Sequence, residues 1–359
     1  MKILFSNPNR SIISKNNAEK NSNNEKLTYQ PSNDELKISF KGDKIPKLKY
    51  VKLPINDQTN YDGYDLENCR IISTEIKTAG FQRAKISGFK AIEATLPEAN
   101  FSNSKLWDID FSGSDLSNAK FNKANISDFH VGICPPLMKT TSKNPDELSS
   151  KAANFSGADF SGAKFYSNLK ISGADLNAVN YNKKENKYEF PDRDRSIIGT
   201  SEVVMQNFSN TKFVEATIMH STTEFNYVDF KNADFTNTDL RGCKFYYCDL
   251  TNANFSCNKV FRRPNNEHYD GYMSGIDFRH SKLNGADFTK TEINKAAFFD
   301  CDLTGAKGFN PTKAFVDETT ITPEGNPATG EWAESFGKNK ENQDRVIFCD
   351  ETKKREMGI

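Results

Sequence analysis

Four histidines, seven cysteines and the nearby carboxylates Asp108 and Asp110 are side chains here with chemical potential. His130, His220, His268 and His280 are scattered, and none forms the His-Glu-x-x-His pattern of a zinc peptidase helix. Cys243 and Cys248 lie five apart, wider than the Cys-x-x-Cys spacing of a metal or redox pair. Asp108 and Asp110 flank Ile109 and could divide acid and base roles. No Gly-rich phosphate loop and no partnered nucleophile pattern occurs, and Cys349 lacks the context of a reactive thiol. The expectation is a non-enzyme with no cofactor, no metal and no small-molecule substrate. Five Asn residues (Asn100, Asn125, Asn154, Asn207 and Asn254) match the glycosylation sequon, each followed by Phe or Ile and then Ser. Their shared context points to a repeat rather than to glycosylation.

The repeat has a period of five. From Leu66 to Val131 every fifth residue is apolar, including Phe81, Phe101, Phe111 and Phe121. The period returns at Phe155, Phe160 and Phe165, then at Ile171, Leu176 and Tyr181. It continues through Phe208, Phe213 and Ile218, from Phe225 to Val260, and from Phe278 to Leu303. Five is neither the period of a strand nor that of an α-helix, so the chain must turn every five residues. Two residues before the large position stands, in most pentads, a small one, as Ala84, Ala99, Ala158, Ala253, Ser104, Ser114, Cys243 or Cys301. One residue before stands Asp or Asn, and two after stands Gly or Asn, both suited to turns. Asp110 therefore occupies a routine turn position, and the two cysteines fill small inward slots.

The unit A(D/N)(L/F)x(G/N), plain in ANFSGADFSGAKF and VDFKNADFTNTDL, resembles the pentapeptide-repeat family over most of residues 61–310. The resemblance implies an all-β fold: a right-handed quadrilateral β-helix solenoid with four pentads per coil. At that rate the sequence predicts about nine coils and a rod roughly 40–45 Å long. The expected core comprises Phe101, Phe111, Phe121, Phe155, Phe160, Phe230, Phe235, Phe245, Phe255, Phe278, Phe288 and Phe298, with the small slots beside them. Two buried residues in five account for a hydrophobic content of only 36% in a chain with 28 Phe.

Outside the repeat, residues 1–60 carry 11 Lys/Arg against 6 Asp/Glu, with ten Asn. The first 35 have too few apolar residues for a core and are expected to be disordered. No cleaved leader is expected, since Ile3, Leu4 and Phe5 are too short an apolar run. Residues 36–50 alternate apolar and Lys around Gly42-Asp43, predicting a hairpin that caps the first coil. Its Lys-rich 37–52 stretch is read as a lysine-decorated sheet edge, the alternative being a basic patch for nucleic acid or for peripheral contact with an anionic membrane. Insertions are expected at 132–152, 182–204 and 261–275. The third carries Phe261, Arg262, Arg263, His268, Tyr269 and Tyr272, residue types enriched at binding hot spots, and is the candidate partner site. AFVDETTITPEG (314–325) resembles the segment that ends many pentapeptide domains. Residues 326–359 follow as a C-terminal cap or tail.

Two functions follow from the resemblance. Similarity to pentapeptide-repeat effectors of bacterial type III secretion systems implies a secreted scaffold that docks a host protein, and the polar N-terminus suits export. Similarity to pentapeptide proteins that mimic DNA and bind topoisomerases implies an acidic face. Residues 61–325 hold 31 Lys/Arg against 35 Asp/Glu, whereas DNA of that length carries on the order of 25 charges. The charge pattern favours a protein partner over nucleic acid or its mimic. An intracellular binding protein is the remaining alternative, and the sequence leaves the oligomeric state open.

Overall fold

The computed structural model describes residues 47–50, 53, 60–72, 79–132, 152–166, 169–172, 174–175, 180–182, 187–189, 203–218, 223–257, 273–310, 314–335 and 346–357. Its unit is the pentad turn. The Asp or Asn before each large residue accepts the N–H of the residue after it: Ser102 N–H to Asn100 at 3.0 Å, Ser161 N–H to Asp159 at 2.9 Å, Thr304 N–H to Asp302 at 2.9 Å. The next residue is left-handed, with φ of 59° at Asn103, 67° at Gly162 and 73° at Gly305. A backbone bond then closes the turn, as from Ala163 N–H to the Phe160 carbonyl at 2.9 Å.

The left-handed position is not confined to Gly and Asn. Glu98, Lys123, Glu215, Lys290, Tyr227, Tyr247 and His280 also have positive φ. Each such residue costs about 1–2 kcal/mol locally. The coil above and below holds it there, because its N–H donates to the next coil, as Glu98 N–H does to the Ser117 carbonyl at 2.8 Å. Ladder registry overrides local preference.

Turns every five residues give each coil four bridging positions, seen where Asn100, Lys105, Asp110 and Asp115 pair in parallel with Lys120, Asn125, His130 and Asn154. One ladder runs Asn60, Gly80, Asn100, Lys120, Asp159, Lys212, Asp234, Asn254, Asp287, Lys307. About six of its turns are regular, at 20–22 residues each. The other three are lengthened to 39, 53 and 33 residues by insertions, so the even nine-coil rod becomes about six regular turns with three enlarged ones. The fold is an all-β parallel solenoid.

Inside, the large pentad residues among those described are buried, including Phe101, Phe111, Phe121, Phe155, Phe160, Phe230, Phe235, Phe245, Phe255, Phe278, Phe288 and Phe298. Stacking at strand spacing aligns the rings into one column: Phe81–Phe101 at 4.7 Å, Phe101–Phe121 at 4.8 Å, Phe121–Phe160 at 4.5 Å, and onward through Phe213, Phe235 and Phe255 to Phe288. Several polar groups in the small slot donate to a carbonyl of the coil before: Ser281 to Phe245 at 2.9 Å, Thr320 to Phe298 at 2.8 Å, Cys243 to Ile218 at 3.2 Å, whereas the buried Ser104 hydroxyl has no partner. Burial pushes the Cys248 and Cys301 thiols up, which makes them packing groups.

On one stretch the small slot is filled by Phe89, Ile109 and Phe129, which align in register. There the corner opens into longer strands: β4 (Lys85–Ile92), β5 (Lys105–Asp110) and β6 (Asn125–Val131). Before them come β1 (Lys47–Lys49), β2 (Asp65–Glu67) and β3 (Arg70–Ile72).

The ends and the second insertion differ from expectation. The first arm of the predicted N-terminal hairpin lies outside the described residues. Its second arm is β1, a parallel rung on β2, with Leu48 buried beneath it. The second insertion leaves the coil earlier than the spacing implied. Tyr181 does not occupy a coil position but pairs antiparallel with Tyr188 in a hairpin (180–182 with 187–189). The coil resumes where Asn207 bridges Asn154. At the C-terminus, Ile347–Phe348 adds a parallel rung to Phe315–Val316. Helices α1 (Gly330–Ser335) and α2 (Glu351–Met357) flank it, so this segment is a cap where described. Lys354 of α2 bonds Asp317 at 2.8 Å. Burial works against both charges, yet the contact holds Asp317 below and Lys354 above their ordinary ranges.

Candidate docking face

In a solenoid each outward position recurs one coil later directly above itself. Two adjacent outward columns run over β2, β4, β5, β6 and Lys164–Tyr166. The first holds Asp65, Lys85, Lys105, Asn125 and Lys164, and the second holds Glu67, Ser87, Trp107, Ser127 and Tyr166. Between them lies a groove of about 320 Å³, lined by both columns from Asp65 to Tyr166.

Two large rings stand out to solvent on this face. Trp107 is 62% exposed and Tyr166 is 53% exposed, although both lie in the regular part of the rod. Neither is loose. The Trp107 indole Nε1–H donates to Asp128 at 2.8 Å, and the Tyr166 hydroxyl donates to Asn125 at 3.0 Å. Both partners sit on the coil between the two rings, so each ring is tethered along the rod.

The charges of the face divide in two. At its N-terminal end Lys47 contacts Asp65 at 3.3 Å and Glu67 at 3.4 Å, and Lys49 contacts Glu67. The hydrogen bond from Lys49 lowers the Glu67 carboxyl, and the one to Asp65 raises the Lys47 ammonium. The Lys-rich edge is thus partly neutralised where it is described. Lys85, Lys105 and Lys164 have no ion-pair partner among the described residues.

A second outward cluster lies on the neighbouring face of the C-terminal half. Lys244 pairs with Glu224 at 2.9 Å. Arg279 pairs with Asp277 at 2.8 Å and donates to the Tyr246 hydroxyl at 3.0 Å, and that hydroxyl donates to Asp277 at 2.9 Å. Burial first, and the Asp277 carboxylate second, push the Tyr246 phenol up to about 12. Beside it Tyr227, Tyr247 and His280 stack at 4.9 and 4.7 Å, and His280 Nδ1 lies 2.8 Å from Asp300. These groups satisfy one another.

Phe261, Arg262, Arg263, His268, Tyr269 and Tyr272, the residues singled out in the third insertion, lie outside the described residues. Asp108 and Asp110 do not form an acid–base pair: Asp110 accepts the Ser112 N–H and hydroxyl at 2.9 and 2.6 Å, and Asp108 is a left-handed corner residue. Among the described residues no group of three His, Cys, Asp or Glu could hold a metal ion, and no helix is long and apolar enough to cross a membrane. Sequence reading missed Trp107 and Tyr166. Each is the free position of its pentad, and the available signal was a large ring where Ser, Thr or Lys is usual.

The turn geometry, the period and the ladder agree with comparison by sequence. Residues 93–129, 151–180, 223–256 and 272–307 match the family model for pentapeptide repeats, in eight copies. These four segments carry pentapeptide repeats. Similar solved structures include HetL, a pentapeptide-repeat protein involved in heterocyst differentiation regulation from the cyanobacterium Nostoc sp. strain PCC 7120. It is 18% identical, covering 79% of this chain and 92% of that one, with a TM-score of 0.36. Full-length QnrB1, a plasmid-mediated fluoroquinolone resistance protein, is 16% identical over 87% of this chain and all of its own, with a TM-score of 0.26. No curated protein matches the chain by sequence.

Proposed function

We propose that this protein is a non-enzymatic pentapeptide-repeat scaffold that docks a protein partner on the face running from Lys85 to Tyr166. The observation carrying this is the pair of tethered, solvent-facing rings, Trp107 and Tyr166, beside lysines with no ion pair. Aromatic residues fixed in place lose little entropy on binding and dominate interface energetics. The solenoid supplies rigidity: each coil is bonded to its neighbours on four sides, so the columns do not rearrange when a partner arrives.

The acidic strip that a DNA mimic needs does not form on the turn column. Its carboxylates accept neighbouring N–H groups, and Asp229, Asp239, Asp249 and Asp277 are also paired with Lys or Arg, as Asp229 is with Lys231 at 3.2 Å. We further propose that the chain acts as a bacterial type III effector with a host partner. This rests on the resemblance and on an Asn-rich, polar N-terminus.

The docking test places a photo-crosslinking residue at Ser127, between the rings, and at Asn232 on a remote corner. A discrete protein adduct at 127 and none at 232 is expected; equal labelling at both removes the face from consideration. Export is tested separately by deleting residues 1–30. Unchanged secretion, or no secretion of the intact chain, eliminates the effector role.

A further inference from the structure

The partner's chemistry can be named, and this deepening rests on the docking reading above. We infer that the Lys85–Tyr166 groove takes an extended acidic segment of a protein, with carboxylates over Lys85 and Lys105 and an aromatic or apolar side chain against Trp107 and Tyr166.

Charge complementarity is the first reason. At five other places on the rod, outward cations find carboxylates on their own or the neighbouring coil: Lys47 with Asp65, Lys231 with Asp229 and Asp249, Arg241 with Asp239, Lys244 with Glu224, and Arg279 with Asp277. Lys85 and Lys105 stand on consecutive rungs of the groove without any. Asp65 adjoins Lys85 one rung away but contacts Lys47 instead, and the other neighbours, Ser87, Asn125 and Ser127, offer hydrogen bonds but no counter-charge. Two adjacent cations one strand spacing apart, about 4.8 Å, suit carboxylates on nearby residues of one chain.

The second reason is what the backbone withholds. In β4, β5 and β6 the N–H and carbonyl groups are consumed by the parallel ladder, so a ligand cannot add a strand here. Recognition must run through side chains alone, through ring faces, ammonium groups, hydroxyls and an amide. From the Asp65 rung to the Tyr166 rung is four steps, about 19 Å, which an extended peptide covers in roughly six residues.

The third reason is that the cations are few and bounded. Asp65 closes the N-terminal end and Asp128 lies at the tip of Trp107. A nucleic-acid strand brings a phosphate with every nucleotide and would set phosphates against both carboxylates. A segment with two or three acidic residues interleaved with apolar ones avoids that conflict.

The chain contains two tryptophans, so its own fluorescence reads the site. Trp332 sits near Phe309 in the C-terminal cap, and Trp332→Phe leaves Trp107 as the sole reporter. The probe is a synthetic twelve-residue peptide repeating Glu-Glu-Phe, titrated into full-length Trp332→Phe protein. Lys-Lys-Phe peptide, heparin hexasaccharide and oligothymidylate are titrated in parallel. A saturable change in Trp107 emission with the Glu peptide alone is expected, weakened at least tenfold by Lys85→Glu/Lys105→Glu. Unchanged far-ultraviolet dichroism and melting of that double variant separate lost binding from lost fold. No response to the Glu peptide overturns the inference, as does a stronger response to heparin or oligothymidylate. The docking reading has its own readout in the crosslink at Ser127: an adduct there with no Glu-peptide response retires only the acidic chemistry, and no adduct retires the docking face itself.

Discussion

Two regions of this rod share one core and differ on the outside. Over β4–β6 the outward columns carry unpaired lysines and two solvent-facing rings. In the C-terminal half, around Tyr246 and Arg279, rings and charges are bonded to one another across coils. The interior cannot tell these regions apart, since the same ring column passes through Phe101 and Phe255. A solenoid thus separates stability from function: two residues in five hold the coil, and the other three are free to be tied off or left open. An exposed group that its neighbours could have satisfied, and did not, is the informative one.

The largest expected effect tests the shared core. Phe121→Ala and Phe245→Ala should each cost about 3–5 kcal/mol in denaturant unfolding, because each removes a buried ring from a stack. A cost under about 1 kcal/mol at either position would show that the halves are not packed alike.

Next comes the difference outside. Arg279→Ala leaves Asp277 and Tyr246 short of a partner and should cost about 1–3 kcal/mol. Lys105→Ala, which breaks no ion pair, should stay within about 0.5 kcal/mol. Equal costs would erase the contrast between tied-off and open faces.

The cap gives a pH test. Asp317 lies below its ordinary value in the fold, so its contribution is present above the unfolded carboxylate range near about 4 and is lost as pH falls through the folded value. Amide exchange at Ile347 and Cys349, which donate to Ala314 and Val316, should accelerate on acidification and lose that dependence in Asp317→Asn. Lys354, raised in the fold, contributes below the unfolded Lys range and loses this only at strongly alkaline pH.

The smallest effect is spectroscopic. Tyr246 should ionise near pH 12 in absorbance titration. With its folded value raised, stability from this phenol falls as pH climbs from about 10 toward about 12. Tyr246→Phe should delete that step, and loss of a step at about pH 10 instead would place the phenol in water.

Much of the coil was legible because its physics is local. An Asp before Phe160 and a Gly after it specify a turn wherever they occur, and Ala158 beside Phe160 specifies the inward pair. Tyr181 shows where locality misleads: it falls at the five-residue period, but pairing with Tyr188 gives it an alternative to the coil. Gly308 shows a constraint the pattern did not predict. A Cβ there would come within 2.6 Å of Thr289 Cα, on the coil before, so Gly is required by approach as well as by φ.

The sequence by itself determined the period, the inward residues, the turn chemistry and the stacking of coils, because each depends on neighbours within a few positions. Only the tertiary structure decided which outward residues meet. Trp107 and Asp128, Tyr166 and Asn125, or Arg279 and Tyr246 are 21, 41 and 33 residues apart. Those separations reflect both the coil length and the insertions that lengthen it. Which lysine finds a carboxylate therefore depends on registry between coils, and that registry leaves Lys85 and Lys105 unpaired while it satisfies Lys244 and Arg279.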